Sequence, residues 1–165
     1  MRLPRHVDPR KLALQDSHFS GSVATGEMVR LRDVVVTAAD DAEVDLRFYL
    51  DQSRHLVVEG KFSLKVSLEC QRCLQPVDEL LEGEVLLGVV WTEERVEVLP
   101  KRYDPWLIDG DSADVYEMIE DEFLLTLPIV AYHDENQCPK KGTFSTGEFE
   151  ESGRNPFEIL AKLKK

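Results

Sequence analysis

The sequence has few cysteines and no long apolar segment, and both shortages exclude classes of protein. Only three of its 165 residues are cysteine, an odd, low number that does not suit the disulfide framework of a small secreted protein. Its longest mainly apolar run, residues 123–132, is interrupted by Thr126 and Pro128 and is far shorter than the roughly 20 residues of a membrane-spanning helix. No apolar segment follows the basic N-terminus, so the pattern of a secretory signal is missing. We therefore expect a cytoplasmic protein that does not contact a membrane.

Common catalytic and nucleotide-binding motifs are missing as well. The sequence contains no Gly-rich phosphate loop, no nucleophile elbow and no His-Glu-x-x-His helix. The neighbouring acids Asp121 and Glu122 do not suit an acid–base pair, because adjacent residues of a helix point apart. His6, His18 and His55 have no companions in the sequence that indicate a catalytic triad. We therefore predict that the protein is not an enzyme.

Positive charge is scarce except at the two ends of the chain. The formal net charge is −12, but residues 1–11 and 154–165 together carry +6 and residues 12–153 carry −18. An acidic body of this kind repels phosphate and attracts cationic surfaces. The same charge also keeps a protein soluble, so it does not identify a partner by itself.

Alternating apolar and polar residues are the strongest pattern that the sequence does contain. Residues 44–50 alternate strictly, and residues 56–69 keep one parity apolar over a longer span, which is typical of strands with one buried face. The apolar segment 77–91 follows closely and is predicted to be the return strand of a hairpin. Residues 28–37 also have a β-rich composition, whereas residues 92–110 contain two prolines and are predicted to be mainly loop.

Helices are predicted mainly near the ends of the chain. Asp8 and Pro9 favour a short helix that runs to about Gln15, and Asp111 or Ser112 is a suitable N-cap for a longer helix that stops before Leu127-Pro128. Residues 134–154 are predicted to be a flexible loop before a short amphipathic helix at 155–165. We predict a single α+β domain, with a twisted, partly curled antiparallel β-sheet covered by one main helix and short terminal helices.

A Cys-x-x-Cys pair at the predicted hairpin tip is the main candidate for chemistry. Cys70 is in phase with the buried face of its strand, and Cys73 follows in the turn. The third thiol, Cys138, lies five residues after His133. Together these side chains make a Cys3His set, which is one of the usual combinations in structural zinc sites.

Two other interpretations of the cysteines remain open. Cys70 and Cys73 could form a thiol redox pair, although such pairs normally lie at a helix N-terminus, which lowers the thiol pKa. Alternatively, the two thiols pack in the turn while Cys138 and His133 lie in a loop and at the surface. Distances between the four side chains are needed to choose among these hypotheses.

Several motifs together resemble the YceD family of bacterial large-ribosomal-RNA accumulation proteins. The family hallmark Leu-x-Cys-x-Arg-Cys matches Leu68, Cys70, Arg72 and Cys73. Three further blocks match in the same order, namely an acidic helix that runs into Leu-Pro, an extended stretch followed by His and Cys, and the closing Asn155, Pro156 and Phe157.

The resemblance implies a non-enzymatic role in the synthesis, processing or stability of 23S rRNA. Two mechanisms are compatible with the charge pattern. The acidic body could bind a cationic ribosomal or ribosome-assembly protein, in which case rRNA is affected indirectly. Alternatively the basic ends bind rRNA directly, and the C-terminal contact is then expected at Lys162, Lys164 and Lys165. We favour the first mechanism because the few basic residues at the ends can neutralise only a few phosphates.

Overall fold

The computed structural model of the chain describes residues 1–134 and 136–139, and strands dominate these residues. The described strands are β1 (His6–Val7), β2 (Ser17–Ala24), β3 (Thr37–Ala38), β4 (Asp41–Leu50), β5 (Leu56–Glu69), β6 (Pro76–Val90), β7 (Asp104–Leu107) and β8 (Ala113–Asp114). The described α-helices are α1 (Pro9–Leu14), α2 (Val29–Val34), α3 (Glu93–Val98) and α4 (Val115–Thr126), with a short 3-10 helix at Thr25–Glu27. None of the described helices is long and apolar enough to cross a membrane.

One six-stranded sheet organises the fold. Its main strand order is β2-β4-β5-β6-β7, and β3 pairs with the part of β5 near its C-terminal end. Neighbouring strands are antiparallel except β6 and β7, which run parallel from the pair Leu87 and Asp104 to the pair Val90 and Leu107. Strands β1 and β8 form a separate two-stranded ribbon. The long hairpin of β5 and β6, which the alternating pattern predicts, lies in the middle of this sheet.

The core lies between one face of the sheet and helix α4. Residues of alternate parity on β4, β5 and β6 are buried, and they pack with Ile119 and Phe123 of α4, neither of which is exposed. The Phe62 and Phe123 rings meet edge to face with centroids 4.8 Å apart, a favourable aromatic geometry. Gly83 lies across from Phe62, and an added Cβ there would be 2.6 Å from the Phe62 ring. The glycine is therefore needed for close packing of the ring.

Helix α4 is fixed at its start and in its middle by carboxylates. Asp114 caps the helix, because its side chain accepts hydrogen bonds from the backbone N–H groups of Tyr116 and Glu117. Glu120 is buried and accepts from the backbone N–H of Leu31 at 3.0 Å and from Arg30. Burying this carboxylate is tolerated because it has both a backbone donor and a cationic partner.

The α+β class is confirmed, but several parts of the sequence prediction are wrong. The sheet is mixed rather than wholly antiparallel, because residues 92–110 are not mainly loop: α3 carries the chain back so that β7 runs parallel to β6. The sheet is also open rather than partly curled, since its described order runs from β2 at one edge to β7 at the other. Residues 28–37 form α2 and only a short β3, despite their β-rich composition. The cap of α4 is Asp114 instead of Asp111 or Ser112. Helix α1 has the predicted Asp8 cap and Pro9 at its first position, whereas the predicted helix 155–165 lies outside the described residues.

Candidate metal centre

The turn between β5 and β6 brings Cys70 and Cys73 together. The backbone N–H of Cys70 donates to Gln75 O at 3.0 Å, and that of Leu74 donates to Cys70 O at 2.8 Å. Leu74 has a φ of 60°, a left-handed conformation that reverses the chain but is uncommon for a residue other than glycine. Both thiols face inward, with Cys70 completely buried and Cys73 only 4% exposed.

The segment after helix α4 is attached to this turn by residues of the Cys-x-x-Cys motif itself. The backbone N–H of Gln71 donates to Ala131 O at 3.0 Å. The guanidinium of Arg72 donates to His133 O and lies 5.1 Å from the centre of the Tyr132 ring, a cation–π arrangement. Arg72 thus holds the backbone of His133 beside the two cysteines.

The orientation of the His133 ring suits a metal ligand. Its Nε2 lies 2.9 Å from the carbonyl oxygen of Pro76, and because a carbonyl can only accept a hydrogen bond, Nε2 must carry the proton. In the neutral ring Nδ1 then has a free lone pair, and it lies 3.4 Å from Cys73 Sγ. A backbone carbonyl that fixes the second ring nitrogen is the usual support for a metal-binding histidine.

A tight turn completes the cluster with Cys138. The backbone N–H groups of Gln137 and Cys138 both donate to Asp134 O, at 2.9 Å and 3.1 Å, and Cys138 is 5% exposed. The ligand atoms of Cys70, Cys73, His133 and Cys138 all lie within 4.8 Å of one another. Ligands around a tetrahedral zinc ion are about 3.5 to 3.8 Å apart, so a small contraction of this cluster would enclose such an ion.

The electrostatic environment of the thiols differs from one cysteine to the next. Burial raises the pKa of Cys73, and the neighbouring sulfurs of Cys70 and Cys138 raise it further. Burial also disfavours the Cys70 thiolate, but backbone N–H groups of His133, Cys73 and Arg72 point at its sulfur and lower its pKa to about 5. Several thiolates this close together repel one another, and a bound divalent cation would remove that repulsion.

The structure brings the four predicted ligand residues together. All three cysteines lie within the described residues and none of them forms a disulfide. Leu68 is buried in the core below the turn, and Arg72 contacts the His133 backbone. The contact of His133 with the Pro76 carbonyl could not be predicted, because no side-chain pattern indicates a backbone acceptor. The predicted sites Asn155, Pro156, Phe157, Lys162, Lys164 and Lys165 lie outside the described residues.

Comparisons with known proteins support one family. The family model described as "Large ribosomal RNA subunit accumulation protein YceD" matches residues 58–164. A protein of Haemophilus influenzae named large ribosomal RNA subunit accumulation protein YceD is 34% identical to this chain over 169 residues, which cover 99% of this chain and 97% of that protein. No solved structure gives a significant match. The family match includes all four residues of the cluster.

Proposed function

Because this chain belongs to the YceD family of large ribosomal RNA subunit accumulation proteins, we propose that it supports accumulation of 23S rRNA by binding a ribosomal or ribosome-assembly protein. In this proposal the acidic body of the protein is the binding surface and no reaction is catalysed. A role beside rRNA would place the protein in the cytoplasm, where thiols remain reduced.

The observation that carries this proposal is an acidic segment of the chain that includes β7, β8 and the start of α4. Residues 104–122 contain eight Asp or Glu residues and no Lys or Arg. Arg5, Arg10 and Arg30 approach some of these carboxylates from other elements. Asp104, Asp109, Glu117 and Glu122 make no ion pair with any residue that the structure describes. The lining residues that define what we call the acidic groove are Trp106, Leu107, Asp109, Asp114, Glu117 and Asp121.

The acidic groove combines negative charge with apolar contact area. It encloses about 710 Å³, and Leu107 at its side is 50% exposed. The pKa of Glu122, next to Asp121 in α4, is raised first by burial and then by the charges of Asp104 and Asp121. Such a surface attracts cationic proteins and speeds their encounter. Trp106 offers an aromatic face for an arginine of the partner.

Strand β7 also offers the partner a backbone contact. It is the last strand in the described order of the main sheet and pairs with β6 on one side only. A strand edge of this kind can accept an extended segment of another protein through backbone hydrogen bonds. A basic extended segment would therefore find hydrogen-bonding partners on β7 and carboxylates beside them.

We propose further that Cys70, Cys73, His133 and Cys138 bind a structural zinc ion. Their spacing and the orientation of His133 support this, since the four protein ligands would leave no open position for a substrate. Such an ion would supply cross-linking between the β5–β6 turn and the segment that follows α4. The geometry gives less support to a thiol redox function, because Cys70 and Cys73 are almost inaccessible to another protein.

Direct rRNA binding through the basic ends receives little support from the described N-terminus. Arg2 lies 4.0 Å from Asp41, and Arg5 is paired with both Glu27 and Asp114. These arginines already interact with carboxylates, so contact with phosphate would require breaking those ion pairs.

Affinity capture from cell lysate, with and without ribonuclease, tests the proposed mechanism. We expect basic ribosomal or assembly proteins to remain bound after RNA digestion. Substituting Asp109→Asn together with Glu117→Gln should release them, because two unpaired charges of the acidic groove are lost. The matched control is Glu43→Gln with Glu82→Gln, which removes the same charge from the solvent-facing side of the sheet and should retain the captured proteins.

The opposite result would be binding that depends on RNA and on the C-terminal basic residues. If purified protein binds naked 23S rRNA fragments at physiological salt, and substitution of Lys162, Lys164 and Lys165 by Ala abolishes this binding, the direct mechanism is correct. Loss of capture in the control variant to the same extent would show that only net charge matters.

A further inference from the structure

A groove with the opposite charge lies at the other end of strand β5 from the cysteines. It encloses about 580 Å³ between the β4–β5 turn, α1 and α3. None of the described residues that line it is Asp or Glu. The residues that define what we call the cationic groove are Arg10, Arg54, His55, Trp91 and Arg95. In a chain with a net charge of −12, such a concentration of positive charge is unusual.

Two of the three arginines in the cationic groove are available for a ligand. The side chains of Arg54 and Arg95 make no hydrogen bond or ion pair with any residue that the structure describes. In contrast, Arg5, Arg30 and Arg47 each have a carboxylate oxygen within 2.8 Å. Free guanidinium groups bind phosphate oxygens particularly well, because their donors match the geometry of two oxygens.

The cationic groove also has a fixed aromatic side chain and an apolar wall. The indole N–H of Trp91 donates to Gly110 O at 2.8 Å, and the guanidinium of Arg10 stacks 4.1 Å from the centre of the Trp91 ring. Leu14 and Val98 line the same groove although they are 70% and 69% exposed. A ligand that suits these walls needs flat or apolar groups in addition to negative charge.

We propose that the cationic groove binds a short segment of single-stranded RNA. Arg54 and Arg95 contact phosphates, while Trp91 and the aliphatic wall contact bases. Single-stranded nucleic acids are bound by this combination of a positively charged groove and aromatic side chains. This site is separate from the basic ends of the chain. It adds a direct RNA contact to the proposed binding of a ribosomal or ribosome-assembly protein, and the RNA proposal does not depend on that binding.

The acidic body does not prevent this contact. At physiological salt the Debye length is about 8 Å, so carboxylates on distant faces have little influence inside the groove. The acidic residues of α3, namely Glu93, Glu94 and Glu97, do not line the groove. Among the described residues, Asp111 is the one carboxylate within 4.0 Å of a groove arginine, at 3.7 Å from Arg10, and Asp51 lies 3.1 Å from the ring of His55. Arg54 and Arg95 therefore keep their charges unpaired.

The loop at residues 108–112 connects the two grooves. Asp109 and Ser112 line the acidic groove, whereas Gly110 and Asp111 contact Trp91 and Arg10 of the cationic groove. A cationic protein and an RNA segment could therefore be held side by side. This arrangement explains how an acidic protein could assist RNA and a basic protein to associate.

Fluorescence anisotropy with a labelled single-stranded oligoribonucleotide of about 12 nucleotides tests the proposal on the full-length protein. The variant combines Arg54→Asn with Arg95→Gln. Asn is chosen because Arg54 has a φ of 64°, which Asn tolerates better than most residues. We expect about tenfold or greater loss of affinity, since two charged hydrogen-bonding groups are removed. The slope of log affinity against log salt should become shallower by about 1.4, at roughly 0.7 for each phosphate contact.

The matched control combines Arg32→Gln with Lys65→Gln, which removes the same charge from two exposed side chains outside the groove. We expect the control to bind within about twofold of the unmodified protein, because distant charges are screened. As a second readout, RNA should change the emission of Trp91 in a Trp106→Phe background.

Three results would overturn the proposal. They are absence of RNA binding by the unmodified protein even at low salt, equal weakening in the control, and groove-dependent binding of an acidic amphipathic peptide without binding of RNA. The last result would assign the groove to a protein ligand. Capture of basic proteins after ribonuclease treatment should be unchanged in the Arg54 and Arg95 variant, so the two proposals can fail separately.

Discussion

A turn lies at each end of strand β5, and both turns contain buried polar groups that need partners. The two turns differ in the chemistry that supplies those partners. At its N-terminal end, Asp51 is almost buried and accepts hydrogen bonds from the backbone N–H groups of Ser53 and His55 and from the Tyr103 hydroxyl, at 2.8 to 3.0 Å. The Arg102 guanidinium donates to the same carboxylate at 3.0 Å. Donors of the protein itself therefore satisfy this charge.

The C-terminal end of β5 is different because its buried side chains mainly present lone pairs that can bind a cation. Cys70, Cys73 and Cys138 bring three sulfurs toward the free lone pair of His133. Backbone N–H groups favour the thiolate of Cys70, while the pKa of Cys73 is raised. Described protein donors satisfy the Asp51 end without a ligand, whereas the proposed zinc ion would complete the cysteine end.

Removal of a ligand at the cysteine end is expected to have the largest effect. Cys73→Ser should abolish binding of about one zinc ion per chain, because serine is a poor zinc ligand. The melting temperature should fall by at least about 10 °C, since the free energy of metal binding contributes to folding. Elemental analysis of protein purified without chelator and thermal unfolding monitored by circular dichroism measure the two effects.

Two histidine variants, one in the cluster and one outside it, provide a second test and its matched control. His133→Gln should also release zinc, whereas His6→Gln, at an exposed position in β1, should change neither zinc content nor melting temperature. If the zinc content of the Cys73→Ser and His133→Gln proteins equals that of the unmodified protein, the cysteines pack in the turn without a metal and the contrast between the two ends disappears.

Asp51→Asn is expected to have the next largest effect, and only on stability. The amide group replaces one acceptor oxygen with a donor that faces Arg102 and Tyr103, so the free energy of unfolding should fall by about 2 to 3 kcal/mol. Urea unfolding measures this change. The control Asp45→Asn affects a half-exposed carboxylate beside His18 and should cost less than about 1 kcal/mol. Loss of zinc from the Asp51→Asn protein would show that the two ends are coupled.

Acid should reveal the contribution of Asp51 in a defined pH range. Burial opposes its ionisation, but hydrogen bonds from the backbone and ring of His55 and from Tyr103 outweigh burial and hold the pKa of Asp51 below its usual value of 3.8. A carboxyl group whose pKa is lowered by folding stabilises the protein above its unfolded pKa and loses that contribution as the pH falls. The stability difference from Asp51→Asn should therefore shrink as the pH falls below about 4.

Some of this structure follows from the sequence and some does not. The β5–β6 hairpin could be predicted because residues 56–69 keep one parity apolar, which reflects a sheet with one buried face. Helix α2 could not, since its β-rich residues become helical through tertiary contacts such as that of Leu31 with Glu120. The Cys3His set could be predicted from residue types, whereas the contacts that bring its two halves together, such as Arg72 with the His133 carbonyl, could not. The cationic groove could not be predicted, because Arg10, Arg54 and Arg95 are distant in sequence and come together only in the folded chain.

The smallest effect is expected from Arg72→Lys at the cysteine end. Arg72 does not bind the metal, but it donates to the His133 carbonyl and stacks on Tyr132. Lysine keeps the positive charge but loses the planar donor geometry, so the free energy of unfolding should fall by about 1 kcal/mol. Groups that orient a metal ligand typically change metal affinity by about 10-fold to 100-fold when they are removed. We therefore expect zinc to remain bound at full occupancy after purification but to be lost faster to a competing chelator. The matched control Arg32→Lys should exchange zinc at the unmodified rate, and equal rates in all three proteins would show that Arg72 does not position His133.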